Sequence, residues 1–301
     1  MKEKSLTARV VSSHGRHYIV ELADGQTLLA YPRGKRIQAC VGDLVSIEIS
    51  GPENAALTGI QPRRTLLYRS NEQRNKLLAA NVDQVLLVVS GFPMFSEDLL
   101  GRALTAAWAA DVTPIIVLNK TDEPEGLEEA REKLKPYTTL GVDILEVSAL
   151  NSAQIQNLLA PHLEGKSTLL LGQSAMGKST LLNTLIPEAQ AATQSHSLAL
   201  GAGRHTTTAT HLYHLPAPYE GSLIDSPGLQ TFGLAHLNEE ELVRGFPEFL
   251  QEGKSCRFYN CSHLHEPNCV VLEALDQSLI HPQRYALYER LLSELAARAR
   301  I

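Results

Sequence analysis

Residues 165–186, Gly-Lys-Ser-Thr-Leu-Leu-Leu-Gly-Gln-Ser-Ala-Met-Gly-Lys-Ser-Thr-Leu-Leu-Asn-Thr-Leu-Ile, have the types and spacing to hold a phosphate. Ser167–Leu171 is a short apolar run suited to a buried strand. Gly172, Gln173, Ser174, Ala175, Met176, Gly177, Lys178 and Ser179 fit G-x-x-x-x-G-K-[ST], and Thr180 to Ile186 returns to helical spacing. Strand, glycine loop and helix in that order are the context a phosphate-binding P-loop requires. Gly172 and Gly177 permit backbone dihedrals that turn successive N–H groups toward a phosphate, and the helix N-terminus behind them favours anions. Lys178 can reach the β- and γ-phosphates, and the Ser179 hydroxyl can bind Mg²⁺. These residues imply a nucleoside triphosphate site.

Three further loops follow apolar strands, where ligands bind in open parallel sheets. Asp225-Ser226-Pro227-Gly228 lies 46 residues after Ser179. Its carboxylate can hold Mg²⁺ through water, and Gly228 lets the backbone approach a γ-phosphate. Asn119-Lys120-Thr121-Asp122 carries a carboxylate able to accept from both N1–H and the exocyclic amine of guanine, a pairing adenine does not offer. The Lys120 stem can cover the base face. Ser148-Ala149 can present a backbone N–H to guanine O6, although the dipeptide alone has almost no specificity.

Cys256-x4-Cys261-x-His263-x5-Cys269 offers three thiolates and an imidazole, with His265 nearby as a spare. That set satisfies tetrahedral Zn²⁺ and leaves no position for substrate, which makes the site structural. Cys40 stands apart and is most simply a small buried hydrophobe.

Around these motifs, residues 8–60 read as about five short strands, with Asp24-Gly25 as a hairpin turn. An OB-fold barrel over residues 1–65 is the natural reading. Segment 61–80, with Arg63, Arg64, Arg69, Arg74 and Lys76, is basic and polar and reads as a linker or an arm, the linker itself spanning residues 66–80. Residues 81–232 alternate strands and helices, an α/β domain. Ser96 caps a helix running to about Ala110, and helices are expected over about Leu127–Tyr137 and Ser152–Leu159. Residues 233–301 look mostly helical, with Pro282 in the first turn of a last helix ending near Arg298.

Net charge is −6, but residues 1–80 hold 12 Lys/Arg against 7 Asp/Glu, while the remainder holds 15 against 26. The positive N-terminal part suits a polyanion, and the Arg33, Lys35 and Arg36 loop is a candidate phosphate contact, as well as an ordinary solvated loop. No stretch approaches the ~20 apolar residues of a membrane span. Met-Lys-Glu-Lys-Ser-Leu-Thr lacks a signal-peptide core, so a soluble, cytoplasmic, monomeric protein without a membrane partner is expected.

The nucleotide motifs resemble those of the translation-factor class of GTPases, in permuted order: base-reading loops first, then the P-loop, a Thr-rich switch and D-x-P-G. The barrel, the permuted domain with Gly203-Arg204-His205-Thr206-Thr207-Thr208, and the Cys-Arg-Phe…Cys-Ser-His-Leu-His-Glu-Pro-Asn-Cys segment together resemble the bacterial RsgA (YjeQ) family over essentially the whole chain. The resemblance implies an OB-fold, a circularly permuted P-loop GTPase domain and a helical zinc-binding domain. It further implies GTP hydrolysis to GDP, stimulated by the small (30S) ribosomal subunit during late maturation, with 16S rRNA as a partner. Family zinc ligands carry over to Cys256, Cys261, His263 and Cys269, and nucleotide contacts to Asn119, Lys120, Asp122 and residues 172–180. Met176 departs from the smaller residue, such as Val, usual at that place.

Many GTPases place a Gln after D-x-x-G to orient the attacking water; here Leu229 stands there and has no hydrogen-bonding group. His205 is the candidate replacement, its rival role being a switch or RNA contact. One of Thr206, Thr207 and Thr208, with Thr207 as the candidate, is expected on Mg²⁺. A non-catalytic RNA-binding module and an ATP-dependent kinase are the competing classes; RNA-stimulated turnover and base preference separate them.

Overall fold

The computed structural model describes residues 5–15, 17–34, 37–70, 75–189, 210–227, 232–250 and 256–298. Five strands open the chain: β1 (Leu6–Ser13), β2 (Tyr18–Glu21), β3 (Thr27–Pro32), β4 (Leu44–Ile49) and β5 (Asn54–Ile60). Alternate residues along them face inward, so Ala8, Val10, Val20, Leu28, Ala30, Val45, Ile47, Ala55 and Leu57 are buried. The strands pair in the order β1-β2-β3-β5-β4, and β4 returns to β1 to close an OB-type barrel.

Residues 66–80, expected as a linker, instead fold into an antiparallel hairpin of β6 (Leu66–Ser70) and β7 (Asn75–Ala80). Leu67, Leu78, Ala79 and Ala80 are buried in it, an apolar set obscured in the sequence by the basic residues between. Of the expected phosphate contacts, Arg33 ion-pairs with Glu48 at 2.5 Å, whereas Lys35 and Arg36 lie outside the described residues. Arg63 is turned to the buried Asp43, at 2.6 and 2.8 Å.

The second domain is a sheet of β8 (Gln84–Ser90), β9 (Thr113–Asn119), β10 (Asp143–Glu146), β11 (Lys166–Gly172), β12 (Thr210–His214) and β13 (Gly221–Asp225), ordered β10-β9-β8-β11-β13-β12. All but β12 run parallel. Every residue of β8 is buried, as a strand covered on both faces requires. Order reverses between β8 and β11, and the candidate loops leave the carboxyl ends around that switch point. β12 also pairs with β1, Ser12 opposite His211 and Ser13 opposite Thr210, making barrel and α/β sheet one eleven-stranded sheet.

Helix α1 (Glu97–Ala109) begins as expected: Ser96 Oγ accepts the Leu99 N–H, and Glu97 and Asp98 occupy the first turn. α2 (Leu127–Thr138) follows β9, and α3 (Ser152–Gln154), a π-turn (Ile155–Leu159) and α4 (Ala160–Leu163) follow β10. α5 (Lys178–Leu185) follows the P-loop. The C-terminal part holds α6 (Glu239–Arg244), α7 (Val270–Asp276) and α8 (Pro282–Arg298), with a 3₁₀ turn at Pro247–Phe249. Asn238 and Glu241 form a reciprocal capping box at the start of α6. α8 packs on α1 where Gly101 leaves room for Leu287; Arg102 reaches Glu294 at 2.8 and 2.5 Å, and Arg290 reaches Asp98 at 2.8 Å.

Candidate nucleotide site and metal centre

The P-loop is drawn into shape by two close backbone approaches. A Cβ on Gly172 would lie 2.4 Å from the Val88 carbonyl oxygen, and one on Gly177 would lie 2.2 Å from Asn119 Nδ2. Gly177 also takes a left-handed φ of +88° immediately before α5. Lys178 Nζ donates to the carbonyls of Gly172 and Gln173, both at 2.7 Å, which lays the side chain along the loop. Burial lowers the Lys178 pKa from its ordinary value, while the carboxylate of Asp225 opposes that shift. Asp225 is itself buried at the end of β13, opposite His211. Ser174, Ala175, Ser179 and Thr180 are exposed, leaving the mouth of the loop and the Ser179 hydroxyl accessible.

Two P-loop side chains have roles that spacing did not disclose. Met176 is buried, with Ser90 Oγ at 3.2 Å from its sulfur, so the departure from a smaller residue is absorbed by the core beneath the loop. Gln173 Oε1 accepts the Ser96 N–H at 2.6 Å, so its side chain is turned to the start of α1.

Asn119 ties three loops together. Its Nδ2 donates to the Met176 carbonyl and its Oδ1 accepts the Ala149 N–H, both at 2.9 Å, from a side chain that is 1% exposed. The Ala149 N–H, expected to face guanine O6, is therefore engaged by Asn119, because a buried donor must be paired. The Ser148 N–H likewise goes to Gln154 Oε1 at 2.8 Å. Asp122 is exposed and opens on solvent beside these loops. Lys120 has φ +65° and donates from Nζ to the Phe92 carbonyl at 2.9 Å. His205, Thr206, Thr207, Thr208, Gly228 and Leu229 lie outside the described residues.

The second site is local in sequence and close in space. One ligand atom from each of Cys256, Cys261, His263 and Cys269 lies within 4.8 Å of the others. Cys256 Sγ is 3.6 Å from His263 Nδ1, His263 Nδ1 is 3.4 Å from Cys269 Sγ, and the two sulfurs are 3.9 Å apart. A tetrahedron at usual zinc bond lengths has edges of about 3.8 Å between sulfurs and about 3.6 Å from sulfur to nitrogen. The donor set and its spacing fit such an ion.

The shell around that centre was not legible beforehand. Glu266 accepts from the Ser262 N–H and hydroxyl at 2.8 and 2.6 Å, and from the Leu264 and His265 N–H groups. Burial alone would raise the Glu266 pKa, but these donors outweigh it and hold the carboxyl well below its usual range. Tyr285 and Tyr288 of α8 donate to the carbonyls of His263 and Ser262 at 2.7 and 2.9 Å. The one available sign was a carboxylate placed between metal-ligand positions.

A family model described as RsgA GTPase matches residues 60–235. A small ribosomal subunit biogenesis GTPase RsgA of Bordetella pertussis is 55% identical over 297 residues, 99% of each chain. Among solved structures, YjeQ from Thermotoga maritima superposes with a TM-score of 0.73 at 29% identity, covering 97% of this chain and 99% of that one. YloQ, described as a circularly permuted GTPase, gives a TM-score of 0.70 at 27% identity over 98% and 96% of the two chains.

Proposed function

The chain belongs to the RsgA GTPase family, and from that premise we propose that it hydrolyses GTP to GDP and phosphate as a switch in biogenesis of the small ribosomal subunit. The observation that carries this reading is the meeting of the P-loop, the Asn119 loop and the Ala149 loop on one buried amide. Such a junction makes base recognition and phosphate binding a single site.

In this reading, the P-loop backbone cradles the phosphates, and Lys178 leaves the carbonyls of Gly172 and Gln173 for the β/γ-phosphates. Asp122 accepts from the guanine edge, and Asn119 holds the base-reading and phosphate loops in register. Bound Mg²⁺ neutralises charge developing on the phosphates. Ser179 and Thr207 are the residues proposed to hold it, with Asp225 acting through water. His205 orients the attacking water in place of the Gln that Leu229 supplants, which predicts slow turnover until a partner completes the site. That partner is the 30S subunit late in maturation, contacted through 16S rRNA in the cytoplasm. Among the described residues no helix is long and apolar enough to cross a membrane. Zn²⁺ held by Cys256, Cys261, His263 and Cys269 has a structural role, fixing the loop that Tyr285 and Tyr288 brace.

The test is phosphate release from GTP, with ATP as control, with and without purified small subunits. Strong stimulation with GTP alone is expected. Equal rates with both nucleotides, or no response to the subunits, would overturn the assignment.

A further inference from the structure

Lys120 must lay its stem along one face of a flat base, and a four-carbon chain ending in a hydrated ammonium loses entropy in doing so. Here it is held at both ends. The backbone at its root is left-handed, with φ +65°. At its tip, Nζ donates to the Phe92 carbonyl at 2.9 Å and has Glu123 Oε2 at 3.7 Å. That carbonyl belongs to the loop leaving β8, where the Ser90 hydroxyl lies 3.3 Å from Phe92 O and 3.2 Å from Pro93 O.

The loop stays within reach of Lys120 because two backbones touch. A Cβ on Gly91 would fall 2.7 Å from Gly126 C, 2.8 Å from Leu127 N and 2.9 Å from Glu125 O. A Cβ on Gly126 would fall 2.4 Å from Gly91 O. Gly126 stands just beyond Asp122 in the chain, so this contact closes the loop bearing the base-reading carboxylate onto the loop that seats Lys120.

We infer that the Gly91–Gly126 contact is a positioning device for base recognition: it places the Phe92 carbonyl where it fixes Lys120, and so sets affinity for the guanine base. The inference rests on the GTP-site reading above. Neither glycine has a side chain to offer a nucleotide, so the effect acts through Lys120. Ser90 is the poorer probe, because its hydroxyl also lies 3.2 Å from the Met176 sulfur under the P-loop.

Gly91→Ala tests this most directly. Gly91 is outside the left-handed region, so the alanine brings no dihedral strain and only the displacement of the opposite backbone. GTP hydrolysis and GDP binding are measured on the full chain, alone and combined with Lys120→Ala. KM for GTP and Kd for GDP are expected to rise about tenfold with kcat within about twofold. In the combined variant, Gly91→Ala adds no further loss to that of Lys120→Ala. Gly126→Ala presses on the same contact from the other loop and raises KM likewise, while its φ of +70° at the start of α2 adds a loss of Tm that is read separately. An unchanged KM, a fall in kcat and Tm at constant KM, or additive losses in the combined variant would each overturn the inference in favour of plain packing. Failure of the GTP-site reading is distinguishable, since the unaltered protein would then bind GDP and ADP alike.

Discussion

Asn119→Ala and Asn119→Asp measure how strongly the site depends on one amide. The side chain is 1% exposed and makes two hydrogen bonds of 2.9 Å, to the Met176 carbonyl and from the Ala149 N–H. Truncation to alanine orphans both groups, and a bare buried donor or acceptor costs about 1–3 kcal/mol. The two loops can swing toward solvent to rehydrate, which brings the combined cost to the low end, about 2–3 kcal/mol. In the proposed site those loops hold the nucleotide between them, so the loss should appear as roughly 30- to 150-fold weaker GDP binding. Aspartate separates hydrogen bonding from volume. Its Oδ1 still accepts from Ala149, but its second oxygen faces the Met176 carbonyl, and two acceptors repel. Asn119→Asp should therefore bind no better than Asn119→Ala despite its matching shape. Titration with a fluorescent guanine nucleotide at fixed Mg²⁺ gives both numbers. An aspartate variant within about twofold of the unaltered protein, where tenfold corresponds to 1.4 kcal/mol, would refute the junction argument.

Three other outcomes are expected. Chelation, or Cys261→Ser, should release one zinc per chain by metal analysis and remove the Tyr285–His263 and Tyr288–Ser262 bonds, read as a loss of near-ultraviolet tyrosine dichroism. Glu248→Ala should destabilise the C-terminal part by about 3–5 kcal/mol in urea unfolding, since Arg284, 2% exposed and paired with Glu248 at 2.7 Å, is left as a bare buried charge; replacing both by apolar residues should cost far less. His236, its ring tilted against Tyr68 with centroids 4.7 Å apart, has its pKa pushed down by burial to about 4, against an ordinary 6.5. The unfolded chain then binds the proton more readily, so stability is complete above about pH 6.5 and falls as pH drops from there through about 4; His236→Phe should flatten that part of the stability–pH curve.

Local chemistry was legible in the sequence where the physics is local. Ser96 announced its helix because a cap needs only the next three residues. β8 and β11 announced themselves as apolar runs, and the metal ligands lie within fourteen positions of one another. Long-range pairing was not legible. The short apolar runs Leu66–Tyr68 and Leu77–Ala80 are set among basic and polar residues, and they make a strand pair only against each other. The partner of the Ala149 N–H is Asn119, thirty residues earlier in the chain and brought to 2.9 Å only by the fold. Gln173 reads as a phosphate-loop residue, yet its side chain answers to Ser96, 77 positions away.

The pairing of β12 with β1 gives the permuted order a mechanical consequence. β12 is the strand that the Thr-rich segment enters, and its His211 stands opposite Asp225 on β13 and Ser12 on β1. Arg9 of β1 also donates to Ser167 of β11 and Ser222 of β13, at 2.9 and 3.4 Å. The barrel is thus bonded to the strands that carry the P-loop and the D-x-P-G acid, rather than tethered by chain alone. A shift of β12 along its axis would break ladder bonds on both of its sides at once. Strand register has a period of two, so an intermediate shift has no low-energy state. Thr210, where β12 begins, is therefore held by a ladder that joins the barrel to the strands of the α/β sheet.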